Sequence, residues 1–167
     1  MNHTTYFGVP THKNPMDAWV YQQIVVAMRP DVIIEIGTKY GGRALYLAHL
    51  CDLLGHGRLI GVDHHHGFLQ PQVALHPRIT LLKSDACAAY DQVRAMIGPD
   101  ERVLVIEDSS HTYDNTLAVL RTYSAFTRPG DYFIVEDSIC HHGLPLGPSP
   151  GPYEAIEAFV AENPDFE

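Results

Sequence analysis

Asp31-Val32-Ile33-Ile34-Glu35-Ile36-Gly37-Thr38-Lys39-Tyr40-Gly41-Gly42 is the stretch that decides the fold. It opens with β-branched apolar residues, places an acid near the end of the run, and passes into glycines ahead of an amphipathic segment. A continuous apolar run suits a strand covered on both faces, as in a parallel sheet. Glycines at the strand-to-helix turn let the backbone approach a ligand closely, because no Cβ intervenes. The spacing is acid-x-Gly-x-x-x-Gly-Gly, without the second glycine of the dinucleotide fingerprint, and position 39 is Lys. The turn therefore reads as a nucleoside pocket of the S-adenosylmethionine type rather than a pyrophosphate cradle. Glu35 and Gly37 would hold the amino-acid end of such a cofactor.

Working outward, residues 1–13 lack periodicity and read as an N-terminal arm. Asn14-Pro15-Met16-Asp17 starts a helix, with a capping Asn, Pro at the first helical position and an acid in the first turn. Trp19, Val20, Ile24, Ala27 and Met28 form one side of it at helical spacing, and Arg29-Pro30 ends it. After the glycines, Ala44, Leu45, Leu47, Ala48 and Cys51 point inward from a second helix that stops near Gly55. Further strands follow at Arg58–Asp63, Ile79–Leu82, Val103–Ile106 and Tyr132–Val135. Helices are expected near 88–97, from Tyr113, and from Tyr153 to about Ala161. Strands alternating with helices define an α/β fold with a parallel sheet and right-handed crossovers. The whole of 1–167 reads as one domain.

Composition narrows the function. The net charge of −9 and pI near 5.6 argue against nucleic acid held through its phosphates. Three cysteines without a C-x-x-C pair make a disulfide framework or structural zinc site a poor fit and favour a reducing compartment. No segment has the pattern of a signal peptide or the length of a membrane span, so the expected location is cytoplasmic, without a membrane partner.

Every strand ends on a carboxylate: Glu35, Asp63, Asp85, Glu107 or Asp108, and Glu136 or Asp137. Open parallel sheets bind ligands beyond the carboxyl ends of their strands. Two like charges ~4 Å apart cost on the order of 4 kcal/mol at an effective dielectric of 20, so this rim anticipates a positive guest. A sulfonium cofactor is one. Asp63 would accept its ribose hydroxyls, and Asp85 would take the adenine amino group with the Ala86 backbone beside it. A divalent ion is the other. Asp108, Glu136 and Asp137 lie at the ends of two strands expected to pair, and carboxylates without Cys suit Mg²⁺ first, then Mn²⁺ or Ca²⁺. Glu107 is an alternative to Asp108; spacing favours Asp108. Glu136 and Asp137 can share an ion only if the chain leaves the sheet there, since neighbouring strand residues face opposite ways. His111, three residues after Asp108, is either a helix cap or a general base. His64–His66 and His141-His142 lie on the same rim, and a two-His-one-carboxylate iron site can be drawn from them.

Several runs taken together resemble the cephalosporin hydroxylase family: Gly8-Val9-Pro10-Thr11, Pro30 to Thr38, Tyr40-Gly41-Gly42, Val135-Glu136-Asp137 and Gly151-Pro152-Tyr153-Glu154-Ala155. Despite its name, that family has the Rossmann-like class I methyltransferase fold and is similar to the macrolide sugar O-methyltransferases. The resemblance implies parallel strands in the order 3-2-1-4-5, and it covers nearly the whole chain. It implies S-adenosylmethionine bound by Glu35, Gly37, Thr38, Gly41, Asp63, Asp85 and Ala86, Mg²⁺ on Asp108, Glu136 and Asp137, and His111 as catalytic base. The expected substrate is a small hydroxylated metabolite, with a sugar or glycosylated natural product favoured. Class I enzymes normally add a sixth and an antiparallel seventh strand, and this sequence ends before either. Either the protein is a truncated form, or its fifth strand is an exposed edge covered by something else, and a bare edge would favour self-association as a homo-oligomer. Rival readings are an iron-dependent hydroxylase and a non-catalytic cofactor-binding subunit. His64–His66 is not a feature of the family and is given no role.

Overall fold

A computed structural model of the chain describes residues 4–167. Its centre is a five-stranded parallel sheet built from β3 (Val32–Ile36), β4 (Arg58–Asp63), β5 (Ile79–Lys83), β6 (Val103–Glu107) and β7 (Phe133–Val135), in the order β5-β4-β3-β6-β7. This is the expected 3-2-1-4-5 order. The labels differ because the arm holds two short strands, β1 (Thr5–Tyr6) and β2 (Val9–Pro10), which pair antiparallel. All five residues of β3 are buried, which is what an apolar run without alternation requires of the middle strand.

Helices cover both faces. On one face α1 (Pro15–Met28) and α2 (Gly42–Leu54) pack Val25, Met28, Leu47, Ala48 and Cys51 against Ile33, Leu59, Leu104 and Ile106. On the other, Val32, Ile34, Ile36, Val103 and Val105 meet Val93 of α4 (Tyr90–Ala95) and Val119 and Tyr123 of α5 (Tyr113–Tyr123). Burying an Ile or Leu side chain in such a layer contributes about 1.5–3 kcal/mol. A third cluster joins Leu117 and Leu120 to Ala155 and Phe159 of α6 (Pro152–Glu162), with Phe133 and Val135 of the edge strand packed against it. The short α3 (Pro71–Ala74) lies between β4 and β5.

The start of α1 forms as read: the Asn14 side chain accepts from Met16 N at 3.0 Å, and Pro15 follows. Its packing face differs from the one expected. Tyr21, Val25 and Met28 are buried, whereas Trp19 and Val20 are 65% and 52% exposed. The helix is apolar nearly all round, so periodicity alone did not fix which side meets the sheet. The arm is likewise not featureless where it is described. Val9 of its hairpin is buried, and a Cβ on Gly42 would collide with Thr11 Oγ1. Glycine at that turn thus admits the arm. Gly37, at φ +89°, admits another part of the protein: a Cβ there would collide with the Asp108 carbonyl, so β3 and the end of β6 close to backbone contact.

Candidate active site

Alternation along the strands sorts the rim acids. Glu35, Asp108 and Glu136 fall on the side of Ile33, Leu104, Ile106 and Ile134, the side covered by α1 and α2. Arg43, in the first turn of α2, reaches into the middle of them. Its Nε donates to Glu35 Oε1 at 2.6 Å, and its Nη1 contacts Asp108 Oδ2 at 2.9 Å and Glu136 Oε1 at 3.1 Å. Lys13, from the arm, sits with Nζ at 2.5 Å from Asp108 Oδ2 and 3.2 Å from Glu136 Oε2. The Tyr21 hydroxyl donates to Glu136 Oε1. The repulsion expected among these acids is therefore relieved first by two of the chain's own cations.

Burial raises the Glu35 carboxyl pKa, and Arg43 opposes that rise without cancelling it. Burial works against the Arg43 charge too, but Asp108, Glu35 and Glu136 outweigh it and hold its pKa well above the ordinary arginine value. Burial also pushes the Tyr21 hydroxyl strongly upward, so it stays a donor. Glu107 takes no part. It is the last residue of β6, fully buried, and its Oε1 accepts from the Ser109 amide at 3.2 Å and from the Ser109 hydroxyl. Between the two candidates, Asp108 is the one that faces the rim cavities.

The acids after β4 and β5 behave differently. Asp63 accepts from Lys39 N through Oδ2 and from His65 N through Oδ1, both at 2.8 Å. Asp85 Oδ1 accepts from Ala88 N at 3.0 Å. A carboxylate has about four acceptor positions, so each retains capacity for a ligand hydroxyl or amino group.

Two adjoining cavities share Lys39, Asp108 and Ser109. The larger, about 610 Å³, is lined by Gly37, Asp63, Asp85, Ala86, Phe68 and Asn115 among others. The smaller, about 280 Å³, is lined by Glu35, Thr38, Gly41, Arg43, Asp108, His111 and Asp137, with Lys13 on its arm side. The residues expected to hold a nucleoside thus line the first, and those expected at the amino-acid end line the second, except Gly37. Glu35 Oε2, Thr38 Oγ1 and Arg43 Nη2 are buried without a hydrogen-bond partner among the described residues. Orphaned groups of this kind fit a zwitterionic ligand better than an apolar one.

Asp108, His111 and Asp137 each place one ligand atom within 4.8 Å of the other two. His111 Nε2 is 3.2 Å from Asp137 Oδ2 and 3.8 Å from Asp108 Oδ1. His111 and Asp137 both have φ +57°, and the left-handed turn at Asp137 takes the chain out of strand alternation, bringing Asp137 without Glu136 to this group. Two carboxylates fit a hard divalent cation, Mg²⁺ first and then Mn²⁺. Glu136, the third expected ligand, stands outside this group, held by Tyr21, Arg43 and Lys13.

The other histidines of the rim do not converge. His141 Nε2 lies 3.0 Å from Gly147 O, and His142 pairs with Glu154 at 2.9 Å while stacking on Tyr153. Neither they nor His64–His66 belong to a cluster of metal-ligand type among the described residues, so the iron site drawn from them is not assembled. Sequence reasoning missed Arg43, Lys13 and Tyr21. For Arg43 a signal existed: an arginine one residue past the glycine pair has to enter a crowd of carboxylates.

An open parallel sheet whose middle strand turns through glycines into a ligand cavity, with acids near each strand end, defines the doubly wound, Rossmann-like class. The chain belongs to the rhamnosyl O-methyltransferase/CmcI family, whose model matches residues 1–167. It is 35% identical to a rhamnosyl O-methyltransferase of Mycobacterium tuberculosis (strain ATCC 25618 / H37Rv), over 97% of this chain and 68% of that protein. It is also 35% identical to one of Mycobacterium leprae, over 99% of this chain and 75% of that protein. An apo structure of CmcI shares 25% of its residues and superposes with a TM-score of 0.75, covering 95% of this chain and 66% of that one. A CmcI structure described as Mg-SAM has a TM-score of 0.69 at 24% identity, over 95% and 66%, and shows the likeness of fold.

Proposed function

We propose that this protein is an S-adenosylmethionine- and divalent-metal-dependent O-methyltransferase acting on a sugar hydroxyl. The observation that carries the reading is the junction at Asp108. There a cavity of nucleoside size meets a carboxylate–histidine cluster, so a methyl donor and an ion would lie side by side. The family, its rhamnosyl O-methyltransferase members and a CmcI structure described as Mg-SAM support the same reading.

In this assignment Asp63 and Asp85 orient the nucleoside, with the Ala86 backbone beside the base. Glu35, Thr38 and Gly41 surround the amino-acid end, and Gly37 keeps the connecting backbone close. Asp108 and Asp137 hold the ion, first Mg²⁺, with His111 beside them. Glu136 joins the ligand set only by leaving Lys13. When bound, the ion supplies Lewis acidity that eases ionisation of a coordinated hydroxyl. His111 Nε2 accepts the hydroxyl proton, and the described residues leave its Nδ1 without a partner, so what binds at Nε2 sets the tautomer. S-adenosylmethionine would supply an electrophilic methyl group to the oxygen that His111 has deprotonated. Positioning and electrostatics account for most of the rate.

The test is mass-detected methyl transfer from S-adenosylmethionine to a rhamnoside acceptor, with Mg²⁺ and with EDTA. One methyl group gained with Mg²⁺ and lost with EDTA is expected. Turnover indifferent to EDTA would remove the metal from the reading, and no transfer to any glycoside would remove the substrate class. Asp108→Ala is expected to lose nearly all turnover together with its metal dependence.

A further inference from the structure

A second group of ligand type lies away from the rim. His49 and Asp52 are three residues apart on one face of α2, and His76 follows α3 and stands against them. One ligand atom from each lies within 4.8 Å of the other two. The group sits seven to ten residues along α2 from Gly42, about 10–15 Å at 1.5 Å per residue, so it shares nothing with the Asp108 cluster.

Its surroundings are those of an oriented site. The Tyr6 hydroxyl lies 3.1 Å from His49 Nδ1, and where it accepts from Nδ1–H the Nε2 lone pair is left for an ion. Arg78 Nε holds Asp52 Oδ1 at 2.5 Å while its Nη1 donates to Gly57 O at 2.7 Å, so the carboxylate is turned with Oδ2 toward His76 Nε2 at 3.1 Å. The two imidazole rings are 5.3 Å apart. Partners of this kind orient metal ligands elsewhere and tune their affinity. Two imidazoles and one carboxylate suit a borderline ion with a fourth position for water, not a hard cation.

We propose that His49, Asp52 and His76 form a second cation site, which takes Zn²⁺ and clamps the arm hairpin, α2 and the α3–β5 connection together. The ion replaces the proton shared by His76 Nε2 and Asp52. The ring's single proton moves to Nδ1, and the 3.3 Å hydrogen bond that Nδ1 accepts from Arg78 N is given up.

The test uses the full chain, freed of metal with EDTA. Zn²⁺ is titrated calorimetrically, and Co²⁺ is followed by its visible absorption. The expected result is a Co²⁺ spectrum of low coordination number that Asp108→Asn leaves intact and His49→Gln or His76→Gln removes. The same two variants should weaken Zn²⁺ by about tenfold or more while S-adenosylmethionine still binds, which shows that they are folded. Asp52→Asn is the milder third variant. No uptake of Zn²⁺ at micromolar concentration, or isotherms equal in wild type and both His variants, would overturn the site. So would loss of the Co²⁺ signal in Asp108→Asn alone.

Discussion

The two halves of the rim hold the same kind of residue in different ways. After β4 and β5, Asp63 and Asp85 stand apart and are aimed by backbone amides. At β3, β6 and β7, Glu35, Asp108 and Glu136 are packed together and neutralised by Arg43 and Lys13. An amide orients a carboxylate and leaves its charge and spare lone pairs for a ligand. A buried guanidinium offsets part of the charge instead, so an ion arriving at Asp108 has to compete with Arg43 and Lys13. Acids equal in sequence position are thus unequal in availability, and the difference comes from their neighbours.

The comparison breaks most visibly at Arg43. Arg43→Met leaves Glu35 buried without its partner and is expected to cost about 3–5 kcal/mol in urea denaturation. Adding Glu35→Gln should recover much of that loss, and a single variant as stable as wild type would show that the pairing is not required. On the chemical side, His111→Ala should lower kcat by about 10²–10⁴-fold with cofactor affinity unchanged. Unchanged turnover takes His111 out of the mechanism. In the amide-held half, Asp63→Ala should weaken S-adenosylmethionine by about 1.5–3 kcal/mol, the worth of hydrogen bonds to a charged group, with little effect on metal affinity. A loss of metal binding there would erase the distinction between the halves.

Lys13→Met sharpens it further. Removing the ammonium leaves Asp108 Oδ2 with Arg43 as its one remaining cationic partner among the described residues, so Mn²⁺ binding in the absence of cofactor should tighten, by a factor of roughly ten or less. Weaker binding would mean that Lys13 helps build the ion site. The smallest effect lies outside both halves. Arg58 grips Glu101 through its side chain and holds its carboxyl down at about 2. A depressed pKa gives stability that is full above the ordinary carboxylate range and is lost as pH falls toward about 2. Because the pair is partly exposed, acid titration of wild type against Arg58→Met should differ by about 1 kcal/mol or less.

Much of this was legible in the chain. The mostly apolar run of β3, the Asn14-Pro15 start of α1 and the stop of α2 at Gly55 are local signals, set by covalent geometry and capping, and they fold as read. The helix expected over 88–97 is shorter, Tyr90–Ala95, because the Asp85 side chain takes the Ala88 amide in a turn first. The face of α1 was not legible, since Trp19 and Val20 are as apolar as the residues that are buried.

By itself, then, the sequence determined the sheet, the order of its elements and the gathering of acids at one edge, because periodicity and turn chemistry act over a few residues. The three-dimensional arrangement decided which acids remain free for a ligand. Lys13 and Asp108 are far apart along the chain, and only the docked arm brings them within 2.5 Å. The left-handed backbone at His111 and Asp137 had no sequence signal either, and it alone turns those two side chains toward Asp108. Charge compensation depends on distance and burial, and neither exists until the chain has folded.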